Sequence, residues 1–338
     1  MEAGQQGLKS NFLTLVDELR KTGDSAFLRD TDHGLLLVVF KKPTKKAPRV
    51  KLPLVLLVAT IITIAADGFI RAASYSDPLT PHIGFSEELF VSVVYTIALI
   101  GILGIHELGH KIASWHHKMD SSWPYFIPGI PGVWPTMGAV ISASDPPPNR
   151  DALFDLGISG PIAGLIVTVL VSIFAATTAQ IVPLSVYPAN TPFGTADYLT
   201  SFLTGLFKPA PANSVLVGPL FYVLYFAYSI GFLITFLNLL PAWQLDGGHI
   251  TNSAVSPRVH QIMTYVSVVI MFLIGFYLMA FLVLLLAGRA PSLRPLDGVS
   301  PLSRTRKVFF VLTWVLSAAI FFFAIYNNAF FGSISLIH

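Results

Sequence analysis

The chain has no cysteine in 338 residues, which removes disulfide bridges, thiolate metal sites and a cysteine nucleophile together. Any metal chemistry must then come from histidine and carboxylates. Charge is also scarce: 12% of residues are Asp, Glu, Lys or Arg, about half the share of a soluble domain, while 54% are hydrophobic. With a mean hydropathy of +0.68, a water-soluble globule is excluded and an integral membrane protein is expected. No basic segment followed by a short apolar core and a small-residue cleavage site opens the chain, so no secretory signal is expected.

The net charge of +3 is unevenly placed. Lys41, Lys42, Lys45, Lys46, Arg49 and Lys51 gather just before the first long apolar run. Basic residues beside a first span favour the cytoplasmic side, and a bilayer boundary accounts for the cluster without a nucleic-acid partner. Residues 1–51 therefore read as a small cytoplasmic region. Within it, Ser10 is expected to cap a short helix with Phe12, Val16 and Leu19 on one face, and Ala26 to Phe40 to form a hairpin turning at Asp32-His33-Gly34.

Apolar runs predict an all-α polytopic membrane protein of about six transmembrane helices: Leu52 to Ile70, Leu89 to Trp115, Ala152 to Thr178, Val215 to Leu240, Met263 to Ala287 and Lys307 to Tyr326. A polar, proline-rich loop is expected between the third and fourth spans, as far as Asn213. Between the second and third, Thr136 to Ser144 (TMGAVISAS) alternates imperfectly and reads either as a membrane-surface strand or as a plain re-entrant loop. One span at Met263 to Ala287 would put Arg289, Arg294, Arg304, Arg306 and Lys307 outside, against the positive-inside tendency; a broken hairpin near Gly275 would return them to the cytoplasm. Both readings stand on sequence.

Against this background, GIHELGHKIASW is conspicuous, because the seventeen residues from Leu89 to Ile105 carry no ionisable group of the Asp, Glu, Lys, Arg or His kinds. Positions four apart share a helix face, so His106 and His110 can offer imidazole nitrogens to one ion, with Glu107 one residue round: an H-E-x-x-H arrangement. Ionisable groups at membrane depth cost a few kcal/mol each on insertion scales, which points to function. If Trp115 marks the interface, the helical rise places His110 about 8 Å and His106 about 13 Å below it. A catalytic zinc site needs a third protein ligand. Asp246, in NLLPAWQLDGGH, returns to the same side after two crossings, where Pro241 opens the helix and Gly247-Gly248 permit unusual backbone; its competing reading is a capping aspartate.

HELGH at 106 to 110, with N-x-x-P-x-x-x-x-D-G from Asn238, resembles the site-2 protease family of intramembrane zinc metalloproteases. GAVISASDPPPNRDALFDLGISGPIAG, Gly138 to Gly164, is similar to its archaeal, cyanobacterial and plastid branch. The resemblance implies one zinc per chain on His106, His110 and Asp246, Glu107 as the base that deprotonates the attacking water, and Asn238 as a hydrogen-bond donor to substrate or the developing oxyanion. Asn238 also reads as an interhelical hydrogen-bonding residue. The resemblance further implies a transmembrane metalloprotease domain over 52–338 with its core at about 87–250, and protein substrates with single or other transmembrane spans. Cleavage is expected near the cytoplasmic face of a cell membrane, releasing a cytosolic fragment. The outer loop is too short for a PDZ insertion, and no CBS pair is expected. Gly160 and Gly164 form a G-x-x-x-G expected to pack the third span against the catalytic helix. His249 reads as a contact near the site or as a loop residue, and His116 and His117 as interfacial. A membrane zinc transporter and a non-catalytic zinc-binding scaffold are the alternative functions.

Overall fold

The computed structural model describes residues 2–42, 51–79, 83–141, 145–186, 198–208, 214–287 and 293–326. Lys45, Lys46, Arg49, Arg289 and the last residues of the TMGAVISAS stretch lie outside them.

Helix α1 (Glu2–Thr22) and a hairpin of β1 (Asp24–Thr31) and β2 (Gly34–Lys41) form a small N-terminal unit around Phe12, Val16, Ala26 and Leu28. The turn falls at Asp32-His33, as expected. Ser10 does not cap: the helix begins eight residues earlier, and the Ser10 hydroxyl donates back to the Gly7 carbonyl at 3.0 Å. That back-bond is open to a serine within a helix.

Among the described residues, five helices are long and apolar enough to cross a membrane. They are α2 (Lys51–Ala73), α3 (Phe85–His116), α4 (Arg150–Thr178), α6 (Pro219–Leu239) and α10 (Arg304–Ile320), the last extended to Ile325 by a π turn. The mostly helical polytopic architecture matches the expectation. In α6, 72% of the apolar window is buried, against 28–44% in the other spans, which makes α6 the central one. Asn149 caps α4 by accepting from the Ala152 amide at 2.9 Å. Between α4 and α6 the expected polar, proline-rich loop carries β5 (Gln180–Pro183), an apolar helix α5 (Tyr198–Phe207) that buries Thr200, Leu203 and Thr204, and β6 (Ser214–Val217), paired with β5.

Between α3 and α4, β3 (Tyr125–Ile130) and β4 (Trp134–Val140) form an antiparallel hairpin lying mainly along α2. The strand reading of this stretch therefore prevails over a plain re-entrant loop.

After α6 come α7 (Asp246–Ala254), α8 (Pro257–Leu273) and α9 (Tyr277–Ala287). The stretch read as a fifth span is thus two shorter helices that pack on each other about Gly275, whose φ is +90°. The Phe276 amide donates to the Met271 carbonyl at 2.8 Å and the Gly275 amide to Phe272 at 3.2 Å, the paired bonds of a Schellman stop. At 1.5 Å per residue, neither helix covers a hydrocarbon core of about 30 Å alone.

The following segment returns to the end of the molecule that holds the N-terminal unit. The Leu28 amide donates a hydrogen bond to the Leu296 carbonyl at 2.9 Å, the Leu296 and Asp297 amides donate to the Pro147 and Pro148 carbonyls at 2.7 and 2.9 Å, and Arg306 grips Asp155 at 2.6 Å. The hairpin reading is the one the fold adopts, and it brings Arg294, Arg304 and Arg306 to the end of the molecule where α4 begins.

Candidate metal centre

The site is built where α3, α4 and α7 meet behind α6. His106 and His110 stand one turn apart on α3 and are buried. Their rings can lie there because α4 presents glycines: any Cβ at Gly160 would collide with the His110 ring, and one at Gly164 would come within 3.0 Å of His106 Cβ. A Cβ at Gly109 would sit 2.5 Å from the Ser159 carbonyl oxygen, so the close approach is required from both helices. The G-x-x-x-G therefore packs the third span on the second, with the imidazoles at the contact.

Asp246 arrives through a break. Helix α6 stops at Leu239 ahead of Pro241, Trp243 adopts a φ of +42°, and its amide donates to Thr264 Oγ1 at 3.0 Å. Gly247 and Gly248 do not have left-handed backbone, contrary to expectation; instead, a Cβ on either would strike the carbonyls of Leu239, Leu240 or Trp243. They let α7 start against the end of α6. Gly157 plays the same part from α4, since a Cβ there would lie 2.7 Å from the Asp246 carbonyl oxygen.

As a result, His106 Nε2 and His110 Nε2 are 3.2 Å apart, and each lies 3.3 Å from one oxygen of the Asp246 carboxylate. One donor atom from each of the three residues falls within 4.8 Å of the others. His110 Nδ1 lies 2.8 Å from the Leu156 carbonyl, to which it donates; in the neutral ring this tautomer turns the Nε2 lone pair toward the cluster. Asp246 Oδ2 is buried without a hydrogen bond. Two imidazole nitrogens and a carboxylate, one of whose oxygens is buried without a hydrogen bond, fit a divalent cation of the zinc type better than a hydrogen-bonded cluster. Glu107 is buried on the same helix turn, and Asn238 Nδ2 is 3.5 Å from His106 Nε2.

His249 is half-buried one turn after Asp246 on α7, where burial pushes its imidazole down to about 4, so it is neutral at ordinary pH. His117 donates to Asp155 at 2.8 Å and His116 is exposed; neither approaches the cluster. The Leu156 carbonyl and Gly157 were not singled out from sequence. A backbone acceptor has no residue-type signature, although Gly157-x-x-Gly160-x-x-x-Gly164 carries the spacing of a packed face.

The fold and the cluster define a multi-pass membrane protein with a buried His-His-Asp group able to hold a metal ion. Residues 94–282 match Peptidase family M50, and the chain belongs to this family, the site-2 protease family of zinc metalloproteases. It is similar to "Probable zinc metalloprotease EGY1, chloroplastic" of Arabidopsis thaliana, 31% identical over 176 residues, which cover 49% of this chain and 30% of that one. The protein of the same name from Oryza sativa subsp. japonica is 27% identical over 182 residues, 49% of this chain and 28% of the relative. The chain thus spans less than a third of the length of these curated relatives. No solved structure matches it.

Proposed function

We propose that this chain is an intramembrane zinc endopeptidase, hydrolysing peptide bonds in or near transmembrane segments of other proteins close to the cytoplasmic face. The observation that carries the reading is the convergence of His106, His110 and Asp246 beside the buried Glu107, inside a span. His106, His110 and Asp246 would hold one zinc ion, which when bound polarises a peptide carbonyl and eases deprotonation of water.

Glu107 takes the proton of the attacking water and delivers it to the leaving amine, general base and then general acid on one carboxylate. Asn238, at 3.5 Å from His106 Nε2, donates its amide N–H toward the substrate carbonyl. His110 is kept in the tautomer that presents Nε2 by its bond to Leu156. A helical substrate hides its carbonyls in its own hydrogen bonds and must unwind locally. Among the described residues β4 pairs with β3 alone, and Met137 and Val140 are exposed on it, so its other edge suits strand addition by the unwound segment.

The cytoplasmic assignment is supported by charge. Lys41, Lys42, Arg294, Arg304 and Arg306 lie at the end of the molecule where α3 finishes and α4 begins. The product on the cytosolic side is a released fragment, as in regulated intramembrane proteolysis. A transporter would repeat its coordinating groups along a path; among the described residues the cluster is single.

Purified protein in detergent, offered a single-span substrate, is expected to cut it. Glu107→Gln is expected to keep about one zinc per chain and to lose about 10²–10⁴-fold in rate. Zinc bound equally by both proteins with no cutting of a broad panel of spans would reject the peptidase reading in favour of transport or scaffolding.

A further inference from the structure

Asp67 lies in the span α2 and is 0% exposed. Its Oδ2 accepts from the Tyr95 hydroxyl and from Arg71 Nε, both at 2.7 Å, while Oδ1 accepts from Arg71 Nη2 at 3.2 Å. The Arg71 guanidinium lies over the Phe226 ring at 3.3 Å, so α2, α3 and α6 meet at this pair. A buried ion pair is weak evidence for stability and asks for another explanation.

The fourth donor supplies one. Oδ1 also accepts from the Gly132 amide at 2.8 Å, and Gly132 belongs to the turn of the β3–β4 hairpin. That turn, Ile130-Pro131-Gly132-Val133, is closed by the Val133 amide on the Ile130 carbonyl at 3.1 Å. Proline at its second position and glycine at a φ of +81° at its third are what a type II turn demands. One helical turn from Asp67, the Thr63 hydroxyl donates to the Pro135 carbonyl at 3.1 Å. The segment leading into β3 is anchored beside the metal-ligand helix turn, where Lys111, next to His110 in sequence, donates to the Ser121 carbonyl at 2.5 Å. Tyr95 precedes His106 by roughly 16 Å of helix. The hairpin therefore runs along α2 with its turn on a buried carboxylate well below the metal centre, held through the segment before β3, at its side and at its tip.

We propose that Asp67 is a positioning residue for the peptidase reaction. By holding the Gly132 amide it fixes the depth and register of β3–β4, and so the place where an unwound substrate strand lies relative to His106, His110 and Asp246. The proposal rests on the reading of β4 as the substrate-accepting strand. Asp67 touches neither the metal ligands nor the substrate, and acts through the hairpin alone.

The absence of native cysteine gives a direct test. Thr63→Cys with Pro135→Cys provides one cysteine pair, and a short thiol-bridging reagent then reports where the hairpin sits on α2 whether or not the protein is active. Adding Asp67→Asn is expected to cut bridging about fivefold while zinc content stays near one per chain. In the chain without the cysteines, Asp67→Asn is expected to raise KM for a single-span substrate about tenfold, to leave kcat within about threefold, and to shift the cleaved bond. Closing the 63–135 bridge in the Asp67→Asn chain is expected to restore KM. Unchanged bridging overturns the proposal, as does a loss of zinc and kcat at constant KM, which would make Asp67 a general structural residue. If no chain hydrolyses the substrate, the peptidase reading fails, and the bridging result still decides whether Asp67 holds the hairpin. Should Asp67→Asn fail to fold, Asp67→Leu with Arg71→Met replaces the pair by apolar groups and removes the same acceptor; the same loss of bridging is expected, and its absence rejects the proposal.

Discussion

Gly160 decides where His110 can stand. Any side chain there would overlap the imidazole, whereas at Gly101 on α3 the nearest atom to a new Cβ is 3.8 Å away. Overpacking a tight contact costs about 1–3 kcal/mol, and here the strain falls on a metal ligand. Gly160→Ala is therefore expected to lower zinc content and hydrolysis together, while Gly101→Ala leaves both unchanged, with metal analysis and substrate cleavage as the measurements. Equal zinc content in the two variants would remove the glycine from the account of the site. At this scale the sequence was readable where chemistry and spacing coincide. His106 and His110 followed from a four-residue step on a helix, and Asp246 from counting crossings. The Leu156 carbonyl was hidden because every residue has one, and Gly247-Gly248 were misread because close approach and left-handed backbone both select glycine.

Among the elements, α8 and α9 carry the largest departure from a count of apolar runs. Met263 to Ala287 has the length and hydropathy of one span, and only the Schellman bonds at Gly275 turn it back. Two facts of different kinds pointed there: a glycine in mid-run and a basic loop otherwise on the wrong side. Composition alone could not weigh them, since a glycine inside a span is tolerated and the positive-inside tendency has exceptions. The topology can be read with single cysteines in the cysteine-free chain. A membrane-impermeant maleimide is expected to label Arg258→Cys, Arg294→Cys and Lys118→Cys from one face, and Ser76→Cys from the other. Labelling of Arg294→Cys from the same face as Ser76→Cys would establish a single span and break the connection between the basic loop and the N-terminal unit. The β3–β4 hairpin was legible as a strand of uncertain kind; its partner strand was missed, because Pro128 and Gly129 lie within it and argue locally against a strand.

At the scale of the molecule, the N-terminal unit and the membrane core are joined through a segment distant in sequence from both. Leu296, 5% exposed, completes the small core of Phe12, Val16, Ala26 and Leu28, and Arg150 ties the neighbouring Gly298 carbonyl at 3.2 Å to the start of α4. Around this apolar contact stand ion pairs: Lys9 with Asp151 at 2.6 Å, Lys42 with Asp145 at 3.1 Å and Lys118 with Asp17 at 2.7 Å. The hydrogen bond from Lys118 holds the Asp17 carboxyl below its usual range, against a slight desolvation. A depressed carboxylate contributes above its unfolded value and loses that contribution as pH falls through the folded one. This tie is accordingly complete from about pH 5 upward and is lost as pH falls through the lowered folded value. It is also exposed and screened by salt, with a contribution of at most about 1 kcal/mol, whereas truncating a buried leucine costs about 2–5 kcal/mol. Burial should decide the docking. Leu296→Ala is expected to speed hydrogen exchange of the β1 and β2 amides at pH 7 while α3 and α4 stay protected, and Asp17→Asn to change little at any salt concentration. The opposite ranking, with exchange governed by Asp17 and by ionic strength, would make the N-terminal unit an electrostatically held appendage in place of a domain packed through Leu296.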